Sequence, residues 1–191
     1  NYLTKSGFNQ ASFYTDLNAA HRNLLGAEQL DWIKERVNSE SFDWTILGQQ
    51  VLMTKLKFPD LTKMLKEEDI PEFLKPYLKF LGLGIPSNLV AWDGYPADRK
   101  KLYDVMKKAN KSFISLAGDT HNAWVSELTD VQGDKIGIEL GAPSVSSPGI
   151  TDAIKINKTK LNYEIRSIRN QRAWSRQKIV HRICSCSSCK C

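Results

Sequence analysis

A helical pattern that runs almost directly into a strand pattern is the feature that most limits how this chain can fold. Between residues 98 and 110, apolar side chains recur at helical spacing and lysines occupy the opposite face, which is typical of an amphipathic helix. The mostly apolar residues 113–117 follow and predict a buried strand. Because helices and strands alternate in this way along the chain, we predict a layered α/β architecture and not an all-α or all-β one.

Helical and strand patterns also occur in other segments of the chain. Residues 25–39 carry apolar side chains on one helical face, and residues 44–48 and 136–140 predict short strands. Prolines divide residues 52–90 into short helices and loops, so that we expect an insertion or a lid there. No internal repeat is visible in the sequence.

The composition excludes several classes of protein. The chain has 191 residues, of which 41% are hydrophobic and 25% are charged, as in an ordinary globular domain. No apolar stretch is long enough to cross a bilayer, and we therefore expect no membrane span. The chain begins Asn1-Tyr2-Leu3, without the basic and apolar regions of a signal peptide, which leaves its compartment open.

The positive charge is concentrated at the C-terminal end. Residues 160–191 hold eight Lys or Arg and one Glu, a net charge of +7, whereas the whole chain carries +6. All four cysteines lie in the same stretch, at Cys184, Cys186, Cys189 and Cys191. Such an end could bind a soft metal or nucleic acid. We favour a solvated, disordered tail at 175–191 that follows a first unit at 1–174.

The sharpest chemical signal follows the strand predicted at 113–117. The sequence Gly118-Asp119-Thr120-His121 places a carboxylate and an imidazole two positions apart on a tight loop. Open α/β sheets bind ligands at the carboxyl ends of their strands, and both side chains suit zinc, iron or manganese. From four residues alone, a helix-capping Asp119 and an ordinary surface His121 remain equally open.

Three other polar segments are weaker signals. Asp93 precedes a Gly-Tyr-Pro turn and could bind a hard cation, although spacing alone favours a role in shaping the turn. Gln50 follows the strand at 44–48 and could hydrogen-bond a ligand or serve as a buried structural amide. The serines of the loop at 143–149 lack a Gly-x-Ser-x-Gly elbow, so that we exclude a serine hydrolase.

Five segments, taken in order, resemble the alkaline phosphatase D (PhoD-like) family. Their order and relative spacing are similar to those of the family over residues 20–150. The resemblance is carried by residues 22–29 with Trp32, 44–51, 92–97 with Arg99, 118–121 with Trp124, and Glu139 with the loop 143–149. One such motif would be weak evidence, whereas five in the same order resemble the C-terminal part of a member of this family.

The resemblance implies a fold, a cofactor and a set of site residues. The fold implied is the four-layer α/β/β/α metallophosphatase fold, which is related to the calcineurin-like phosphoesterases. The cofactor implied is a centre of several divalent or trivalent metal ions, iron with calcium. Asp119, His121 and Asp93 would be metal ligands, and Tyr95 and Gln50 would line the substrate pocket. No side chain is assigned as catalytic.

The activity implied is the metal-dependent hydrolysis of a small-molecule phosphoester, whether a monoester or a diester. Nucleic acid is not expected as a partner, except as a phosphodiester substrate. Family members are usually exported, which implies an extracytoplasmic location. The sequence does not define the oligomeric state.

Two departures from the family pattern modify this expectation. The early metal-binding motifs, including a Cys ligand, have no counterpart here, so that the N-terminal part of the fold is expected to be missing and the chain alone to be weakly active or inactive. After Trp174, the chain becomes basic and Cys-rich in place of an alternating strand. The alternative hypothesis is a non-catalytic binding module, whose basic, Cys-rich tail binds metal or nucleic acid.

Overall fold

The computed structural model describes most of the chain up to Pro148 and one strand after it. The residues described are 2–4, 7–39, 41–56, 68, 70, 72–83, 85–148 and 171–174. Among their helices, none is long and apolar enough to cross a membrane. The tail predicted at 175–191 lies outside these residues, and the division at 174 stays a prediction.

Helices and strands alternate over the body of the chain, which confirms the mixed α/β class. The strands are β1 (Leu3–Thr4), β2 (Gly7–Phe8), β3 (Trp44–Gly48), β4 (Ser112–Ala117), β5 (Ala123–Thr129), β6 (Lys135–Gly141) and β7 (Gln171–Trp174). The α-helices are α1 (Gln10–Leu17), α2 (Gly26–Ser39), α3 (Lys75–Leu81) and α4 (Pro96–Ala109). Short 3₁₀ helices lie at Glu72–Leu74 and Trp92–Gly94.

Five strands form one mixed sheet, in the order β3-β4-β6-β5-β7. Strands β3, β4 and β6 are parallel, with Ile46 opposite Ile114 and Ile114 opposite Ile138. Strand β5 is antiparallel to both β6 and β7. The carboxyl ends of the three parallel strands therefore meet at one edge of the sheet, where open α/β sheets bind ligands.

One face of the sheet packs against helices α2 and α4. Ile33 of α2 joins Leu102 and Met106 of α4 in a core that also includes Phe113 of β4 and Leu128 of β5. The helical repeat of 3.6 residues and the strand repeat of two bring these side chains to one side. Complete burial of such a side chain contributes about 1.5–3 kcal/mol to folding.

Helix α4 has a local reason for each of its ends. It begins at Pro96, whose fixed φ suits the first turn of a helix. It ends before Asn110, which has a left-handed φ of 51°, a conformation common after the last helical turn. The helix predicted at 98–110 is thus confirmed, and the proline extends it by two residues at the N-terminus.

The opposite face of the sheet is apolar and exposed, and we call it the open apolar face. Its side chains alternate along the strands with buried or half-buried ones and have exposed fractions of 39% to 63%. They are Trp44, Ile46, Leu116, Val125, Ile138 and Leu140. Apolar side chains on both faces are typical of a sheet that lies between two other layers. The open apolar face therefore agrees with part of a layered metallophosphatase fold.

Strand β5, like β1, β2 and β7, was not predicted by the sequence patterns. Its buried residues include Ser126 as well as Leu128, and Glu127 is exposed between them. Polar residues at the centre of the strand hide its apolar alternation. The predicted strands at 44–48 and 136–140 correspond to β3 and β6, which confirms both within one residue at each end.

Candidate metal-binding site

The loop that follows β4 has an unusual backbone. Asp119 and His121 have φ angles of 70° and 57°, in the left-handed region that residues other than glycine rarely adopt. Within the described residues, the one other non-glycine example is Asn110 at the end of α4. Each such residue costs on the order of 1–2 kcal/mol. These conformations cluster at functional sites, where surrounding contacts enforce them.

Thr120 holds this loop in its strained shape. Its N–H donates to the Gly118 carbonyl oxygen over 2.9 Å, and its hydroxyl oxygen accepts from the Trp124 indole over 2.7 Å. Trp124 is buried in β5 and provides a fixed anchor. These two hydrogen bonds fix the position of Thr120, whereas the side chains of Asp119 and His121 are exposed. The loop thus presents two ligand-type side chains to solvent.

His121 also contacts the loop that follows β6, at residues 142–148. Its Nδ1 lies 3.2 Å from the carbonyl oxygen of Pro148. When Nδ1 carries the proton and donates there, Nε2 keeps a lone pair for a metal ion, an arrangement common among histidine ligands. The 142–148 loop begins beside β4, because Ala142 N–H donates to the Ala117 carbonyl oxygen over 2.7 Å.

Gln50 lies at the same edge of the sheet. It follows β3, and its carbonyl oxygen accepts from the N–H of Gly118 over 3.2 Å. The neighbouring Gln49 N–H donates to the Leu116 carbonyl oxygen over 2.9 Å. The Gln50 side chain is exposed. The carboxyl ends of β3, β4 and β6 thus bring Gln50, the Asp119 loop and the 142–148 loop together.

Asp93 has partners that the sequence patterns did not indicate. Its carboxylate is 8% exposed and forms an ion pair with Arg99, with 2.8 Å between Oδ1 and Nη1. Its Oδ2 accepts from the N–H of Leu56 over 2.9 Å. Arg99 also donates to the Met53 carbonyl oxygen over 2.8 Å. Both oxygens of Asp93 are therefore engaged in holding the segment that follows β3.

The predicted ligands do not complete a metal centre among the residues that the structure describes. No three His, Cys, Asp or Glu side chains in that part of the chain form a group that could hold a metal ion, so that Asp93 does not join Asp119 and His121 in one. The Asp–His pair on the strained loop fits two positions of a site for iron or a similar cation. The assignment of Asp93 as a ligand stays a prediction, and its contacts favour a structural role.

Tyr95 closes the turn that carries Asp93. It is half-buried, and the Arg22 guanidinium lies 5.1 Å from the centre of its ring. Arg22 also donates to the Gly94 carbonyl oxygen over 3.0 Å. Gly94 is required here, since a Cβ would lie 1.8 Å from the Leu89 carbonyl oxygen. The role predicted for Tyr95 in a substrate pocket stays a prediction.

Glu139 is the residue near the site to which the sequence patterns gave no role. It lies in β6, is fully buried, and accepts hydrogen bonds from the N–H groups of Met53 (2.7 Å) and Thr54 (2.9 Å). Burial raises the pKa of Glu139, although these hydrogen bonds lower it. A lone carboxylate inside an apolar strand pattern was the signal that could have marked it, because buried charges are rare without partners.

The comparison with known proteins identifies the family. The profile of the PhoD-like phosphatases matches residues 1–181. This chain belongs to the PhoD-like phosphatase family. Alkaline phosphatase D of Bacillus subtilis is 28% identical to this PhoD-like chain over 134 residues, which are 68% of the chain and 19% of that protein.

A solved structure of PhoD supports the same relationship. It matches the PhoD-like chain with a TM-score of 0.52 and 25% identity, over 82% of this chain and 27% of that one. The chain therefore spans about a fifth of the length of the curated relative and about a quarter of the solved one. The family and the mixed α/β fold predicted from the sequence are confirmed.

Proposed function

We propose that this PhoD-like chain forms part of a metal-dependent phosphoester hydrolase, in which Asp119 and His121 bind a metal ion. The observation that supports the proposal is the strained, exposed loop at the carboxyl end of β4, which presents both side chains at once. Family membership supports the phosphatase class. Iron with calcium is the proposed metal content, by the family resemblance.

Two side chains are too few for a tight site. Catalytic metal sites usually have three protein ligands or more, and a site with fewer binds weakly. Further ligands would have to come from beyond the described residues, and the matched relatives are several times longer than this chain. We therefore propose weak or no activity for the chain on its own.

The residues around the loop suit a phosphoester substrate. A bound metal ion would neutralise phosphoryl oxygens and lower the pKa of a bound water. The exposed side chain of Gln50 follows β3, the strand that pairs with β4, and its amide could donate a hydrogen bond to a phosphoryl oxygen. Placed donors of this kind are the main contribution that proteins make to phosphoryl transfer. We propose a small-molecule phosphoester as substrate and, by family analogy, an extracytoplasmic location.

Metal binding by the chain tests the ligand assignment directly. His121→Ala and Asp119→Asn are each expected to weaken the binding of Mn²⁺, Fe³⁺ or Ca²⁺ by more than about tenfold, the loss that even a residue behind a ligand can cause. His21→Ala is the matched control, because His21 is also exposed but belongs to the connection between α1 and α2. Equal affinities in all three variants would contradict the assignment.

Hydrolysis of an aryl phosphate tests the activity. The chain joined to the N-terminal part of a PhoD-like relative is expected to hydrolyse the substrate in a metal-dependent way, and His121→Ala is expected to abolish the reaction. Activity that is unaffected by this substitution would contradict the proposal. The alternative, a binding module that acts through its Cys-rich tail, predicts instead that removal of residues 175–191 eliminates metal binding.

A further inference from the structure

A buried polar row crosses the packed face of the sheet beneath the candidate site. Ser115 of β4, Glu139 of β6 and Ser126 of β5 are paired in register on three neighbouring strands. Their exposed fractions are 0%, 0% and 2%. Because a carboxylate is costly to bury unless its oxygens accept hydrogen bonds, the partners of Glu139 indicate what the row does.

Glu139 holds a segment that has no regular secondary structure. Its Oε1 accepts from the N–H of Met53 and its Oε2 from the N–H of Thr54. Val51, Leu52, Met53 and Thr54 are all buried, so that their N–H groups have little access to water. The carboxylate accepts from two consecutive backbone donors, and it holds what we call the 49–56 segment.

Ser115 links Glu139 to the start of the same segment. Its hydroxyl donates to Oε1 of Glu139 over 3.0 Å and accepts from the side-chain amide of Gln49 over 2.8 Å. The Gln49 carbonyl oxygen Oε1 in turn accepts from the indole N–H of Trp92. These bonds form a directional chain from Trp92 through Gln49 and Ser115 to Glu139, in which every donor points towards the carboxylate.

The 49–56 segment is bonded to the loop that carries the proposed metal ligands. The N–H of Gly118 donates to the carbonyl oxygen of Gln50 over 3.2 Å. Gly118 immediately precedes Asp119, the first left-handed residue of the loop. A displacement of Gln50 would therefore act on the point where the strained loop begins.

We propose that Glu139 is a positioning residue for the Asp119–His121 loop, which it holds in place through the 49–56 segment and the Gln50 carbonyl group. The proposal deepens the proposed function and rests on it for the role of the loop. Without the carboxylate, the N–H groups of Met53 and Thr54 would be buried with no acceptor, a state that folded proteins avoid. The segment would then shift, and the hydrogen bond between Gly118 and Gln50 would shift with it.

The chain offers two matched serine variants for the test. Ser115→Ala removes a hydroxyl that bonds both Gln49 and Glu139. Ser126→Ala removes an equally buried hydroxyl on the other side of Glu139, for which the described residues provide no hydrogen-bond partner. Glu139→Gln keeps the size of the side chain and replaces one acceptor oxygen by an N–H donor. Ser115→Ala keeps the test available even if Glu139→Gln does not fold.

Amide hydrogen exchange of the full chain, measured by NMR in the absence of metal, reads the effect residue by residue. Ser115→Ala and Glu139→Gln are expected to lower protection at Met53, Thr54 and Gly118 by about tenfold or more, beyond any change in global stability. They are also expected to shift the ring signals of His121. Ser126→Ala is expected to leave all of these unchanged. Equal effects of the two serine variants, or an unchanged Gly118 amide in folded Glu139→Gln, would overturn the proposal.

A titration with Mn²⁺ alone separates this proposal from the proposed function. If Mn²⁺ broadens the His121 signals in the wild-type chain, Ser115→Ala is expected to weaken that binding several-fold and Ser126→Ala to leave it unchanged. Equal Mn²⁺ affinity in the wild type and Ser115→Ala would count against positioning. If the wild-type chain binds no Mn²⁺, the assignment of Asp119 and His121 as metal ligands fails, and the exchange of the Gly118 amide alone decides whether Glu139 positions the loop.

Discussion

At the scale of single residues, the backbone of Asp119 is the clearest sign of selection for something other than stability. A left-handed conformation strains an aspartate, and a glycine would adopt it freely. The side chain is exposed, so that no burial compensates for the strain. An exposed carboxylate at a position that suits glycine is the feature that supports the role proposed for Asp119.

Replacement of Asp119 by glycine is therefore expected to stabilise the chain while it removes metal binding. Relief of the strain, about 1–2 kcal/mol, exceeds the added freedom of the unfolded chain, about 0.4–1 kcal/mol. The net gain in the free energy of unfolding should lie between about 0 and 1.6 kcal/mol, measured by urea denaturation. Asp43→Gly is the control, since Asp43 is exposed without a positive φ. A loss of stability in both variants would contradict the account.

Asp93 differs from Asp119, because its carboxylate is buried and stabilises the fold through its hydrogen-bond partners. It forms a buried pair with Arg99, whereas Asp104 forms an exposed pair with Lys100. Asp93→Asn leaves the Arg99 charge buried without its partner and is expected to lower the free energy of unfolding by about 3 kcal/mol. Asp104→Asn is expected to cost less than about 0.5 kcal/mol. If urea denaturation gave equal losses in the free energy of unfolding for Asp93→Asn and Asp104→Asn, the buried pair would not be what stabilises the 49–56 segment.

At the scale of elements, β6 joins the helical layer to the loops of the site. Ile138 and Leu140 lie on the open apolar face, and Glu139 between them lies on the packed face. Within residues 138–140, the strand therefore places the carboxyl group inside and two large apolar side chains outside. This reversal is stable because the two backbone N–H groups of the 49–56 segment satisfy the carboxylate.

The buried carboxyl of Glu139 gives the fold a pH dependence of definite sign. Burial raises its pKa above the ordinary value of 4.5, so that the folded state binds this proton more tightly than the unfolded state. Its contribution to stability is full below pH 4.5 and is lost as the pH rises through the folded-state pKa. The free energy of unfolding of the wild type relative to Glu139→Gln is therefore expected to fall as the pH rises from 4.5.

A surface carboxylate provides the control of opposite sign. The hydrogen bond from Lys107 lowers the pKa of Asp130 below its ordinary value of 3.8. Its contribution is present above that value and is lost as the pH falls through the lower folded-state pKa. The difference between the wild type and Asp130→Asn should therefore decrease towards acidic pH. A difference between the wild type and Glu139→Gln that is independent of pH would contradict the assignment for Glu139.

At the scale of the whole molecule, the open apolar face is an unusual feature of the surface that the structure describes. Six large apolar side chains share it, and Ile46 at 63% and Trp44 at 59% are the most exposed. Contiguous exposed patches of this kind are uncommon on soluble monomers. The face agrees with the finding that the chain spans only 27% of the solved PhoD chain that it matches.

The double substitution Ile46→Thr with Leu140→Thr tests the exposure of this face. Since both side chains already contact solvent, the free energy of unfolding is expected to change by less than about 0.5 kcal/mol for each. Binding of the apolar dye ANS should fall. Leu128→Ala, at a residue that is 1% exposed, should cost about 2–5 kcal/mol. Unchanged dye binding in the double variant would mean that the face is covered in solution.

Much of the fold could be predicted from local pattern, but the partners within the site could not. The periodicity around Leu102 and the short apolar runs located α4, β3, β4 and β6. Strand β5 was missed because Ser126 and Glu127 interrupt its pattern. The partners of Asp93 were missed for another reason: Arg99 is six positions away, and Leu56 lies thirty-seven positions away. Only the folding of α4 against the 49–56 segment brings them together.

The sequence by itself determined the mixed α/β class, the family and the loop that carries Asp119 and His121, because each depends on short segments and on their order along the chain. Tertiary structure alone decided that both oxygens of Asp93 are occupied, that Glu139 is buried, and that Gln50 joins the Asp119 loop. These facts depend on which strands become neighbours and which face of the sheet the helices cover. Hydrogen bonds between distant segments form only after that arrangement exists, so that no local pattern records them.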